Sequence, residues 1–194
     1  MTKFEPEFFA RDPVTVAPEL LGAVLWRKLD DGQVVGGRVV ETEAYWGEDD
    51  LACHAHYGKT KRSATLWGPP GTAYIYLIYG MYHCLNVVTE PEGKPSAVLI
   101  RALEPLPTPN QPLSCRADKR CLSGPGKLCR ALEITRAHNQ IYLLSGDELW
   151  LEKGTPPAIF ATSPRVGVAY ASEEWASKPW RFYALDSPFV SGKR

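Results

Sequence analysis

The chain has no long hydrophobic run. No segment of its 194 residues approaches the ~18 consecutive apolar residues that a membrane-spanning helix needs. The first residues, Met1 to Pro6, also lack the basic and then apolar pattern of a secretion signal. We therefore expect a soluble protein with no membrane partner, located in the cytoplasm.

Net charge and paired cysteines are also lacking. The 22 basic residues are balanced by 22 acidic ones, so the molecule as a whole has no excess positive charge to attract a polyanion. The charge is uneven, however, because the segment 101–136 holds seven basic and three acidic residues. Such a face can bind phosphates on a neutral protein, although it is also compatible with an ordinary mixed surface. The five cysteines are odd in number and irregularly spaced, which favours reduced thiols over a disulfide framework.

Length and patterning predict one domain over residues 1–194. The predicted class is α+β, with a curved, mainly antiparallel β-sheet, a protruding β-hairpin and flanking helices. The predicted elements are a helix at 17–21, strands at 23–28, 33–45, 97–103, 149–152, 166–169 and 181–185, an extended loop at 104–125, and a helix whose inner face is Leu128, Ala131 and Leu132.

The segment from Thr72 to Asn86 holds four of the nine tyrosines. Alternation along a strand places Tyr74 and Tyr76 on one face. The chain then turns at 79–81 into a second strand, on which Cys84 and Asn86 share one face. A hairpin with aromatic walls suits a flat, partly apolar ligand such as a nucleobase. The alternative is an aromatic sheet face that only packs into a core.

A second segment, R-V-V-E-T-E-A-Y, carries Glu41, Glu43 and Tyr45 on one strand face. A carboxylate beside an aromatic side chain is a candidate catalytic base beside a binding wall. A solvated acidic edge is the alternative, and the pattern does not choose between the two glutamates.

These segments resemble the alkyladenine DNA glycosylase family, also called the 3-methyladenine DNA glycosylases. The similarity rests on R-V-V-E-T-E-A-Y, G-P-P-G-T-A-Y-I-Y-L-I-Y-G-M-Y-H-C-L-N, V-L-I-R-A-L-E-P, G-P-G-K-L-C-R-A-L, R-V-G-V-A-Y, K-P-W-R-F-Y and S-P-F-V-S, in the family's order from about residue 7 to 191. The chain departs from the family's T-x-R-N-x-x-M-F pattern, because Ser63, Leu66 and Trp67 stand in place of its Asn, Met and Phe.

The resemblance implies a DNA repair glycosylase that acts on double-stranded DNA containing damaged purines. It also implies association with the nucleoid if the protein is bacterial. In that family pattern Glu43 is the general base and Arg101 holds it and its water. Tyr45 and Tyr76 sandwich the flipped base, His54 contacts its edge, and Asn86 clashes with the 2-amino group of guanine.

The hairpin tip and a glycine-rich helix start complete the implied site. Tyr79, supported by Met81, fills the gap that the flipped base leaves. Gly126 and Lys127, in S-G-P-G-K, contact a phosphate. No lysine stands where the family offers a Schiff-base nucleophile, so the reaction is expected to be monofunctional.

The sequence offers two other interpretations. Cys53, His54 and His56 lie close together in sequence, but alternate strand residues point apart and the cysteines lack zinc spacing, so we expect no metal and no cofactor. A noncatalytic nucleic-acid-binding module with stacking tyrosines is the alternative to an enzyme, and a buried carboxylate facing the aromatic slot would distinguish the two. The protein is expected to be a monomer.

Overall fold

All eight strands of the described residues belong to one antiparallel sheet. The computed structural model describes residues 2–107, 109–112 and 114–192. The strands are β1 (Val24–Lys28), β2 (Val34–Trp46), β3 (Ala73–Ile78), β4 (Tyr82–Thr89), β5 (Ser96–Pro105), β6 (Leu149–Glu152), β7 (Phe160–Ser163) and β8 (Arg181–Ala184). They follow the order β3-β4-β5-β2-β1-β6, and β8 pairs with both β2 and β7.

The helices are short and flank the sheet. They are α1 (Pro6–Phe9), α2 (Pro13–Glu19), α3 (Ser114–Ala117), α4 (Pro125–Ala131) and α5 (Glu173–Ser177), with 3₁₀ turns at His54–Tyr57, Ala64–Trp67 and Arg136–His138. Within the described ranges, none of the helices has the length and apolar character to cross a membrane. The predicted α+β class, with a curled antiparallel sheet and few helices, is confirmed.

The 13-residue strand β2 organises the sheet. Its first half pairs with β1, its second half pairs with β8, and its other edge pairs with β5. The β2–β5 pairing skips Val40 on one strand and Arg101 on the other. Bulges of this kind bend the strands and increase their twist, so the sheet curls at the point where Arg101 lies.

The two faces of the sheet have different environments. Ile75, Leu85 and Val87 belong to the main hydrophobic core. On the opposite face Tyr74 belongs to a smaller cluster against which Tyr45 and Tyr76 pack. The alternation of the tyrosine hairpin is therefore confirmed: one face stabilises the fold and the other is left to form a cavity.

Three predicted elements are wrong in place or kind. Helix α2 begins at Pro13, earlier than predicted, because Asp12 accepts a hydrogen bond from the Thr15 amide and caps it. Residues 166–169 are not a strand, because Gly167 has φ +78° and the chain turns there. The segment 104–125 is not wholly extended, since β5 runs to Pro105 and α3 lies within it. Of that predicted loop, residues 108 and 113 lie outside the described residues.

The prediction of reduced thiols is wrong for one pair. Cys115 and Cys121 are joined by a disulfide, with their Cα atoms 5.2 Å apart. Cys53, Cys84 and Cys129 are free and buried, as expected of the whole set. The pairing depends on the turn after α3, which the irregular spacing does not indicate.

Candidate active site

A cavity of about 940 Å³ lies on the aromatic face of the sheet. Its wall is formed by the β3–β4 hairpin, the inner strands β2 and β5, the start of α4, and the loops around residues 52–66 and 166–170. Eight of the residues assigned roles from the sequence line it: Tyr45, His54, Tyr76, Tyr79, Asn86, Arg101, Gly126 and Lys127. Of the other two, Glu43 is fully buried and Met81 is 66% exposed near the hairpin tip.

The hairpin supplies one wall of the cavity. Tyr74 lies directly across from Asn86, and Tyr76 lies across from Cys84, so the four side chains share a face. The Asn86 amide nitrogen donates to the Tyr74 carbonyl over 3.0 Å, which fixes the orientation of the amide. The aromatic face and the amide predicted from the sequence are thus brought together.

His54 closes this wall from the 3₁₀ turn that follows β2. Its Nδ1 is 2.8 Å from the Tyr74 hydroxyl oxygen, and its ring meets the Tyr76 ring edge-on at 4.4 Å between centroids. Burial, helped by the positive charge of Arg62, lowers the pKa of His54 to about 4. The imidazole is therefore neutral at physiological pH and offers one donor and one acceptor.

Tyr45 and Tyr76 each have a guanidinium group over the ring. Arg165 lies 4.8 Å from the centre of the Tyr45 ring, and Arg62 lies 5.3 Å from that of Tyr76. Burial, and next the nearby Glu43 carboxylate, raise the pKa of Tyr45, so its hydroxyl stays protonated. That hydroxyl donates to Glu43 Oε2 over 2.9 Å.

Glu43 lies directly behind the cavity wall. Besides Tyr45, it accepts hydrogen bonds from Arg101 Nη1 at 3.2 Å and from the backbone amide of Val166 at 2.6 Å. All three donor residues line the cavity. They use three of the roughly four lone-pair sites of a carboxylate, so one site on Oε1 can still accept a hydrogen bond from a further donor. Burial raises the pKa of Glu43, and the charge of Arg101 and the hydrogen bonds offset this only in part.

Glu41 has a different environment. Its Oε1 accepts from Arg101 Nε at 2.8 Å, Arg181 Nε at 2.7 Å and the Ser191 hydroxyl at 3.0 Å, and its Oε2 accepts from the Ser191 amide at 2.6 Å. Burial raises the pKa of Glu41, but Arg101, Arg181 and Ser191 outweigh it, and the net pKa is lowered. Glu41 is therefore a fully engaged ion-pair partner, whereas Glu43 retains the raised pKa that suits a proton acceptor.

The tip of the hairpin is exposed and strained. Tyr79 is 83% exposed and has φ +53°, and Gly80 follows with φ +69°. A positive φ costs a residue with a Cβ about 1–2 kcal/mol, and glycine almost nothing. The tip therefore holds a large aromatic side chain in solvent at an energetic cost.

The start of α4 packs against this hairpin. A Cβ on Gly126 would lie 2.9 Å from Tyr82 Cδ1, so glycine is needed there for close approach. Lys127 is exposed at the cavity mouth. Phosphate binding by these two residues stays a prediction.

An ion pair that the sequence did not reveal supports the back of the site. Arg165 Nη1 and Nη2 lie 2.5 and 2.9 Å from the two carboxylate oxygens of Asp50, and both side chains are fully buried. Arg165 comes immediately before Val166, so this pair anchors the amide that binds Glu43. The R-V-G-V-A-Y segment contributes to the family resemblance, but its local pattern does not indicate a partner for Arg165.

No group of three or more histidine, cysteine or acidic side chains in the described part of the chain is arranged to hold a metal ion. The rings of His54 and His56 are engaged elsewhere, with Tyr74 and with the Glu48 carbonyl.

Comparison with known proteins identifies the family to which the chain belongs. A family model described as methylpurine-DNA glycosylase (MPG) matches residues 7–188. A protein of Anaeromyxobacter dehalogenans strain 2CP-1, provisionally named a 3-methyladenine DNA glycosylase, is 52% identical over 190 residues, covering 97% of this chain and 85% of its own. A protein of Methanocella arvoryzae with the same provisional name is 50% identical over 189 residues, covering 95% and 94%. The mouse DNA-3-methyladenine glycosylase is 43% identical over 203 residues, covering 96% of this chain and 60% of the mouse protein.

The protein is therefore an enzyme of the DNA-repair class, a hydrolase that cleaves N-glycosyl bonds. It belongs to the methylpurine-DNA glycosylase family and acts on DNA in base excision repair. The alternative of a noncatalytic nucleic-acid-binding module is set aside.

Proposed function

We propose that this glycosylase flips an alkylated or deaminated purine out of duplex DNA into the cavity and hydrolyses its N-glycosidic bond with a water activated by Glu43. The observation that carries the proposal is the buried carboxylate of Glu43, whose three hydrogen-bond donors all lie in the wall of an aromatic cavity. A base in a duplex is stacked and paired, so its glycosidic bond reaches such a cavity only after extrusion.

Tyr79 would occupy the space that the base vacates. It is the most exposed large hydrophobic residue in the described part of the chain, and its strained backbone holds it at the hairpin tip. Met81, two residues on and also exposed, would support it. Strained residues tend to be found at functional sites, which agrees with insertion into the base stack.

Tyr45 and Tyr76 would form the walls that hold the extruded base. Alkylation at N3 or N7 gives a purine a positive charge, and each desolvated aromatic face attracts a cation by ~0.5–2 kcal/mol. The neutral imidazole of His54 would contact the base edge. Asn86, fixed by its bond to Tyr74, would clash with the 2-amino group of guanine. An undamaged, neutral guanine has no cation–π attraction to offset this clash, whereas a positively charged 7-methylguanine has.

Glu43 would remove the proton from the attacking water. As the base departs, the sugar gains oxocarbenium character, and the anionic carboxylate also stabilises that positive charge. Arg101 would hold Glu43 in its ionised form, because its guanidinium bridges Glu43 and Glu41.

The reaction would end at base release, without strand cleavage. A lyase step needs an amine with a lowered pKa in a dry pocket as the nucleophile. The lysine in the cavity lining is Lys127, which is exposed at the mouth. All the groups invoked come from one chain, so a monomer suffices.

The test is base release from duplexes that each carry one defined lesion: 3-methyladenine, 7-methylguanine, hypoxanthine or ethenoadenine. We expect release from at least one of them, none from an undamaged duplex, and no enzyme–DNA adduct on borohydride treatment. A trapped adduct would contradict the monofunctional reaction, and lesion-independent release would contradict the damaged-purine substrate.

A further inference from the structure

Ser191 lies at the centre of the charged cluster behind the active site. It is buried and uses all three of its polar groups there. Its amide and its hydroxyl donate to Glu41, at 2.6 and 3.0 Å. The same hydroxyl oxygen accepts from Arg101 Nη2 at 3.3 Å, and its carbonyl accepts from Arg181 Nη2 at 3.0 Å.

The contacts of Arg101 divide its guanidinium into two edges. Nε and Nη2 are held by Glu41 and Ser191, and Nη1 is the nitrogen that reaches Glu43, at 3.2 Å. That last contact is the longer of the two carboxylate contacts of Arg101. A small rotation toward Glu41 would break it, because guanidinium is a rigid planar group.

From this geometry we infer that Ser191 is a positioning residue for the glycosylase reaction: its hydroxyl holds the Arg101 guanidinium across both glutamates so that Glu43 is kept ionised. The inference rests on the proposed role of Glu43 as the base. Ser191 does not touch the cavity and acts only through Arg101 and Glu41.

The charges around Glu43 determine the direction in which its pKa would change. Six titratable or charged groups on the strands and loops packed against Glu43 interact electrostatically with it: Glu41, Tyr45, Tyr76, Cys84, Arg101 and Arg165. Burial raises the pKa of Glu43, and the charge of Arg101 is the largest effect that opposes it. If Arg101 turned toward Glu41, the pKa of Glu43 would rise further, and the base form would exist only at higher pH.

The experiment is the pH dependence of single-turnover base release by Ser191→Ala on a duplex with one 7-methylguanine. We expect the acid limb to move up by about 0.5–1 pH unit, while the plateau rate above it stays within about threefold of the unchanged enzyme. Ser191→Thr, which keeps the hydroxyl, should have its acid limb at the same pH as the unchanged enzyme. If Ser191→Ala does not fold, Ser191→Cys tests the same contact with a thiol, a weaker hydrogen-bonding group, and should shift the limb in the same direction.

Ser187→Ala is the matched control. Ser187 is buried in the same C-terminal segment, but its hydroxyl donates to Glu104, at 3.2 Å, and does not contact Arg101. We expect this change to lower the melting temperature without moving the acid limb. An unmoved limb in Ser191→Ala, or an equal fall in rate at every pH in both variants, would overturn the inference.

The proposed function and this inference fail in different ways. If Glu43→Gln keeps the rate of the unchanged enzyme, the role of Glu43 is wrong and the inference falls with it. If Glu43→Gln is inactive while Ser191→Ala has the unchanged pH profile, only the role of Ser191 is wrong.

Discussion

Replacement of Glu43 by glutamine is the sharpest test of the site. The glutamine has the same shape, but one carboxylate oxygen becomes an amide nitrogen. If the remaining oxygen faces Tyr45 and Arg101, the new amide NH2 group faces the Val166 N–H, two donors meet, and one hydrogen bond is lost. We expect this to cost about 1–3 kcal/mol of the free energy of unfolding, offset in part because a buried charge is removed. A stability of ~5–15 kcal/mol tolerates that loss.

The rate should fall much further than the stability. Loss of a general base slows a reaction by ~10²–10⁴-fold, which corresponds to about 3–5 kcal/mol in activation free energy. Single-turnover release from a lesion duplex measures the rate, and fluorescence anisotropy with the same duplex measures binding. We expect binding to be retained.

Glu41→Gln is the comparison that can refute the assignment. It breaks two buried ion pairs, to Arg101 and Arg181, and removal of one partner from such a pair typically costs ~3–5 kcal/mol. Its main effect should be a lower melting temperature. Near-normal release by Glu43→Gln, together with an inactive but folded Glu41→Gln, would show that the base has been assigned to the wrong glutamate.

Four further results are expected. Tyr79→Ser should slow release from duplexes more than from single strands, most of all for lesions that remain well paired, and equal losses on both would argue against insertion into the stack. Tyr76→Leu should weaken binding of a 7-methylguanine duplex more than of a hypoxanthine duplex, because a cation–π attraction is lost beyond stacking. Release of 7-methylguanine should rise with pH as Glu43, whose pKa is raised, becomes ionised, and the rate should then stay level. Release of hypoxanthine should rise in the same way but fall again at alkaline pH, because this neutral base must gain a proton as it leaves. Two superimposable bell-shaped profiles would contradict this. Asp50→Asn should lower the melting temperature by on the order of 10 °C, because it leaves Arg165 buried without its ion-pair partner, and an unchanged melting temperature would show that the pair is not structural.

The sequence by itself determined the aromatic hairpin. Side chains alternate along any strand, and the turn at 79–81 joins two strands that are neighbours in the chain, so the shared face of Tyr74, Tyr76 and Asn86 follows from local rules. The strands predicted at 23–28 and 33–45 are likewise neighbours in the chain, joined by a short turn, and they pair as β1 and β2. Residues 166–169 show the limit of that reasoning, because their apolar alternation resembles a strand but the chain turns at Gly167.

The tertiary structure decided which glutamate is available. Strand alternation places Glu41 and Glu43 together, and nothing near them in the chain distinguishes them. The distinction comes from Arg181, which lies 140 residues beyond Glu41 and forms an ion pair with it, and from Ser191, which lies 150 residues beyond Glu41 and donates hydrogen bonds to it. The Asp50–Arg165 pair, which holds the loop over Glu43, spans 115 residues. Periodicity reports only which way a side chain points along its own strand; the charge that it meets there depends on segments that folding brings from elsewhere in the chain.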